Sequence, residues 1–153
     1  MDEETLNKIK RVGKVAAQVR REGTAKFVPG ASALEIMDFC EKRIVDLGGK
    51  IAWAQMALNE TAAHYCPEED DTTTLKEGDL VKIDIGVHED GYIADNAMTV
   101  EVGSSDKYKD MIKKIDAKIN TCKLKKETKD KMKNVSLGTS KNNYIDPRII
   151  FAF

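Results

Sequence analysis

Paired cysteines, a long apolar run and a basic leader are all missing from this 153-residue sequence, and each absence removes a class of protein. The three cysteines, Cys40, Cys66 and Cys122, are odd in number, widely spaced and without a C-x-x-C pair. That excludes a disulfide framework and a zinc knuckle, and leaves free thiols as the expectation. No stretch approaches the roughly 18–20 uninterrupted apolar residues of a membrane span. Met1-Asp2-Glu3-Glu4 is acidic where a secretory leader would be basic. The expectation is a cytoplasmic protein with no membrane contact. Internal repeats and low-complexity linkers are also absent. With 41% hydrophobic and 33% charged positions, the composition fits an ordinary globular domain and excludes a collagen, a coiled-coil rod and a fully disordered chain.

Net charge is small, −1, but it is unevenly distributed. Residues 1–113 hold 15 Lys/Arg against 22 Asp/Glu, a balance of −7, whereas residues 114–153 hold 10 against 4, a balance of +6. A split of this kind suggests two pieces with different partners, the second either in contact with a polyanion or simply a solvated basic helix.

Leu6, Ile9, Val12, Ala16 and Val19 recur every three or four residues and predict an amphipathic helix that ends near Gly23. After the Pro29-Gly30 turn, Ser32 stands three residues before Glu35, the spacing of a capping box. A second helix starts there, with Leu34, Met37, Phe39, Cys40, Ile44 and Leu47 as its buried stripe and Gly48-Gly49 as its left-handed stop. Residues 51–67 read as one or two short strands. An acidic, Thr-rich loop from Glu68 to Thr74 follows. From Leu80 to His88, Val81, Ile83, Ile85 and Val87 alternate with Lys82, Asp84, Gly86 and His88, which is a strand. Asp90-Gly91 signals a two-residue hairpin turn, and Tyr92 to Val102 returns as its partner. A Lys-rich helix with a thin apolar face is expected from Lys107 to about Lys133.

The hairpin carries the chemistry. With a two-residue turn, Glu89 pairs with Tyr92, Gly86 with Asp95 and Asp84 with Ala97. Asp84 and Asp95 become diagonal neighbours on one face, their Cα atoms about 7–8 Å apart. Gly86 leaves room above itself for both carboxylates to converge on a cation. Two adjacent anions repel, and a divalent metal removes that conflict through oxygen ligation. The competing reading is two acidic residues facing solvent on an exposed sheet. Asp within a run of β-branched residues is locally unfavourable, however, and such exceptions often mark a site.

The run from Leu75 to Asp95, with Asn59-Glu60-Thr61-Ala62-Ala63-His64-Tyr65 before it, resembles the methionine aminopeptidases of the archaeal and eukaryotic type 2 branch. The likeness spans about residues 3–113. It implies a pita-bread α/β fold of α+β character, with two N-terminal helices and an antiparallel, hairpin-containing sheet. It also implies two divalent ions (Mn, Co, Fe or Zn) in a complete site and a peptide or nascent-chain N-terminus as substrate. By position it makes Asp84 and Asp95 metal ligands, and it places His64 against the substrate or its scissile amide. His88 has no catalytic counterpart and is taken as structural. The family completes its site with a histidine and two glutamates from a second repeat, and no histidine follows His88. The chain is therefore expected to hold the first half of the fold, to lack full activity, and to expose the sheet faces of Val81 to Val87 and Tyr92 to Val102 for self-association.

From about residue 114 the chain resembles something else. Leu137-Gly138-Thr139-Ser140-Lys141-Asn142-Asn143-Tyr144-Ile145-Asp146-Pro147-Arg148-Ile149 is similar to the active-site tyrosine segment of type IB DNA topoisomerases. The similarity implies Tyr144 as a phosphodiester nucleophile, Lys141 and Arg148 as DNA contacts, and a nuclear location if the tail binds DNA. A phenol needs cationic neighbours to act this way at neutral pH, and the family draws them from a domain that precedes the tyrosine. The leading expectation is a metalloaminopeptidase-like domain over 1–113, joined to a basic helical tail over 114–153. Two alternatives stand beside it: a topoisomerase-like strand-transferring segment, and a non-catalytic module that binds protein or nucleic acid.

Overall fold

The computed structural model describes residues 2–111, 113 and 114. The expected Lys-rich helix lies mostly, and the Tyr144 segment wholly, outside the described residues.

Helix α1, Glu3–Thr24, begins where the Asp2 carboxylate accepts the Thr5 N–H at 2.7 Å, with Glu3 and Glu4 in the first turn favouring its positive end. Helix α2, Ala33–Asp46, begins where the Ser32 hydroxyl accepts the Glu35 N–H at 3.3 Å. Gly48, at φ 80°, turns the chain out of it. In α1 the buried residues include Val12, Ala16 and Val19, as the spacing predicts. In α2 the buried stripe is rotated slightly from expectation: Ile36 joins Met37, Cys40 and Ile44, while Leu34 and Phe39 are only partly covered.

Three strands follow, β1 (Lys50–Leu58), β2 (Leu80–Glu89) and β3 (Tyr92–Glu101), forming one antiparallel sheet in the order β1-β2-β3. Residues 51–67 thus contain one full strand. The chain then doubles back, and Tyr65 exchanges two backbone hydrogen bonds of 2.9 Å with Met56 of β1. Asp90 and Gly91, at φ 52° and 85°, form the two-residue turn, whose two positive φ values match the twist of the hairpin. Helix α1 ties this turn down: Arg11 makes a two-pronged contact with Glu89 at 2.6 and 2.9 Å, and Lys8 lies 2.9 Å from Asp90.

One face of the sheet packs on the helices. Val81, Ile83, Ile85 and Val87 are completely buried beneath them, with Met56, Val12, Val19 and Cys40 in the same core. This corrects the expectation that the Val81 to Val87 face lacks cover. Two amphipathic helices are broad enough to seal a three-stranded sheet. Of the hairpin's large apolar side chains, Tyr92, Ile93 and Met98 stay exposed, at 38–44%.

Gly23 lies where α1, α2 and β2 meet, and a Cβ there would lie 2.7 Å from Cys40 Sγ and 2.9 Å from Ile83 Cδ1. Alanine would gain about 1 kcal/mol of helix propensity, while overpacking a tight core costs about 1–3 kcal/mol. Gly23→Ala should therefore lower stability in urea unfolding. A more stable variant would show that this junction opens cheaply.

Candidate active site

The opposite sheet face carries Asp84, Asp95 and Gln55. On the central strand β2, Asp84 stands opposite Gln55 of β1 and Ala97 of β3, and Gly86 stands opposite Trp53 and Asp95. This is the hairpin register expected from the two-residue turn, so Asp84 and Asp95 share a face.

The space over Gly86 is not open, as expected from the sequence, but occupied by the Trp53 indole. A Cβ on residue 86 would fall 2.4 Å from Trp53 Cδ2 and Cε2. The glycine makes room for the ring instead of for a cation. Trp53 in turn donates its indole N–H to Asp84 Oδ1 at 2.9 Å, and Gln55 donates its side-chain amide to Asp84 Oδ2 at 3.0 Å. Both oxygens of Asp84 thus accept a hydrogen bond from β1.

Asp95 lies on the other side of this arrangement and is only partly buried. Burial, followed by the neighbouring Asp84 charge and a hydrogen bond between the two carboxyls, pushes its pKa up to about 7 from the ordinary 3.8. Asp84 accepts two N–H donors, and Asp95 is the carboxyl that keeps its proton to higher pH. A divalent cation would do what the proton does, because it cancels the repulsion and takes oxygen ligands. The two carboxyls fit as part of a coordination shell. Among the described residues, His, Cys, Asp and Glu side chains nowhere gather in a metal-binding group of three or more.

His64 is exposed and sits at φ 66°, beside the Tyr65–Met56 backbone pair that holds the returning chain against β1. Its Nδ1 lies 3.2 Å from Gln55 Oε1. The segment therefore brings His64 to the carboxylate pair through Gln55 rather than by direct contact. A cleft of about 180 Å³ runs between them, lined by His64, Asp84 and the small side chains of Ala57, Ala62, Ala63 and Ala97. His88, on the same strand, is partly buried, and its Nδ1 has no hydrogen-bond partner. Tyr144, Lys141 and Arg148 lie outside the described residues.

Trp53 and Gln55 are the functional residues that sequence reasoning missed. The only signal available was a glutamine and the single tryptophan alternating in the run Ile51 to Leu58, whose other residues are small or apolar. Their role depends on the register of β1 against β2, which no turn between them sets, since 21 residues separate the strands.

Residues 7–136 match metallopeptidase family M24. The methionine aminopeptidase of Pyrococcus horikoshii is 54% identical over 99 residues, covering 64% of this chain and 34% of that protein. The Archaeoglobus fulgidus methionine aminopeptidase is 45% identical over 106 residues, 69% of this chain and 36% of that one. Among solved structures, the Thermotoga maritima methionine aminopeptidase superposes with a TM-score of 0.66 at 27% identity, over 72% of this chain and 47% of that one. The methionine aminopeptidase of Rickettsia prowazekii gives 0.66 at 25%, over 74% and 48%. The chain spans about a third of the length of these curated relatives. Its helices and antiparallel sheet are those of the pita-bread α+β fold, and the chain belongs to metallopeptidase family M24.

Proposed function

We propose that this chain supplies the first carboxylate pair and the substrate-side histidine of a type 2 methionine aminopeptidase, acting on a peptide or nascent-chain N-terminus. The observation that carries this reading is the meeting of Asp84 and Asp95 on one sheet face, with His64 linked to Asp84 through Gln55. Two divalent ions, when bound, would stabilise both the attacking oxygen and the charge that develops on the peptide carbonyl. Asp84 and Asp95 would hold them. Trp53 and Gln55 fix the direction of the Asp84 carboxylate, and the cleft between His64 and Asp84 offers room for the peptide end.

Calorimetric titration with Mn²⁺ tests the pair. The chain should bind weakly, because two ligands make a poor shell, and the Asp84→Asn, Asp95→Asn double variant should lose the heat; identical curves would remove the site. Release of methionine from a Met-Ala-Ser peptide by the 153-residue chain alone should be slight. Robust metal-dependent release would show that residues outside the described set complete the centre.

The shared proton predicts a pH dependence of stability in metal-free protein. Between 3.8 and about 7 the folded chain keeps a proton on Asp95 that the unfolded chain has released. Stability should therefore fall as pH rises through that window. Asp95→Asn, or saturating Mn²⁺, should flatten the slope in urea unfolding measured at successive pH values.

A second reading concerns residues 114–153, although the M24 match itself continues to residue 136. The Ser140-Lys141-x-x-Tyr144 pattern and the balance of +6 support contact with DNA phosphates. Binding to plasmid should weaken steeply with salt as counterions are released. A covalent adduct lost in Tyr144→Phe would make the tail a strand-transferring segment; binding without an adduct would leave it a basic anchor.

A further inference from the structure

Gln55 sits between two groups that make different demands on it. A side-chain amide has one donor end and one acceptor end, and its orientation has to be inferred from its partners. Here the partners decide. Trp53 Nε1–H can only donate, so Asp84 Oδ1 accepts it. Asp84 Oδ2 accepts as well, since the nitrogen of Gln55 faces it in the 3.0 Å contact from Nε2. The reverse orientation would press Oε1 against a carboxylate oxygen.

With Nε2 committed to Asp84, Oε1 is the atom that faces His64, 3.2 Å from Nδ1. Two lone pairs do not make a hydrogen bond. Nδ1 must carry a hydrogen, and a neutral imidazole has only one to give. Nε2 is left with a bare lone pair. Gln55 is itself buried at 8% exposure and paired in register with Asp84, so it can hold its side of the contact. His64 is exposed, so burial does not select its tautomer; Gln55 does.

We propose that Gln55 is a positioning residue that locks neutral His64 in the Nδ1–H tautomer and so presents Nε2 to the cleft as a hydrogen-bond acceptor. The ligand chemistry that fits is an N–H donor: a peptide amide or a protonated amine. That last step rests on the cleft being the substrate site, as proposed above; the tautomer does not.

The test is long-range proton–nitrogen correlation NMR of the histidine rings in ¹⁵N-labelled, metal-free protein, at a pH well above the ordinary imidazole range. His64 should show the Nδ1–H pattern. Gln55→Leu should lose it and relax to the tautomer mixture of an unrestrained ring. Trp53→Phe removes the other donor to Asp84 without touching the Gln55–His64 contact, and should keep it. An Nε2–H pattern in the wild type would overturn the proposal, and the wild type decides this even if Gln55→Leu does not fold. So would an unchanged His64 in a folded Gln55→Leu, or an equal loss in Trp53→Phe, which would mark general loosening of the sheet. Absence of Mn²⁺ binding would refute the metal reading while leaving the tautomer result intact.

Discussion

The two-residue turn at Asp90-Gly91 is the constraint from which the site follows. Side chains on a strand alternate between faces, so a slip of one residue in the pairing of β2 and β3 would move Asp95 to the helix side and leave Asp84 alone. Two successive residues at positive φ allow the tight connection that excludes such a slip. The turn is then held from outside by Arg11 and Lys8 of α1, whose carboxylate partners Glu89 and Asp90 are the last residue of β2 and the first of the turn. These contacts are exposed and add little stability on their own. Their effect is geometric: they fasten the end of the hairpin to the helix that covers it.

Once register places the two carboxyls together, electrostatics separates their roles. Strand β1 offers Asp84 two N–H donors, while Asp95 has Asp84 itself as its neighbour. Burial, and after it the like charge of Asp84, opposes the ionisation of Asp95. Trp53 reaches Asp84 only because residue 86 has no side chain. A single glycine therefore acts at a distance on the carboxylate two positions away, through the ring it admits.

Much of this was legible in the sequence, and what was not has a common physical cause. Period-3.6 spacing located α1 and α2, period-2 alternation located β2, and Asp-Gly set the hairpin register, because each signal is local. The association of Asp84 with Asp95 follows from that register alone. The contributions of Trp53 and Gln55 depend on β1 pairing with β2 across 21 intervening residues. No turn chemistry specifies that register; burial of Met56 and Ala54 against Ile83 and Ile85 does. The expectation of empty space above Gly86 failed for this reason: it considered two strands where three meet. The expected bare face from Val81 to Val87 failed similarly, since its cover comes from two helices distant in sequence, whereas Tyr92, Ile93 and Met98 of β3 do stay exposed.

The sheet also explains how the chain tolerates an arrangement that is unfavourable by itself. The residues of β2 on one face, Val81, Ile83, Ile85 and Val87, are fully buried in the core. The alternate positions, Asp84, Gly86 and His88, bear one carboxyl of the pair, the glycine under a tryptophan and a buried ring nitrogen without a partner. Burial of four aliphatic side chains contributes on the order of 1.5–3 kcal/mol each before chain entropy is counted, more than one unpartnered nitrogen or one repelled carboxyl costs. Because the two sets occupy opposite faces, the core can close without reference to the chemistry on the other side. A cation brought to Asp84 and Asp95 would then find its ligands already aligned by strands whose position the helices, not the metal, determine.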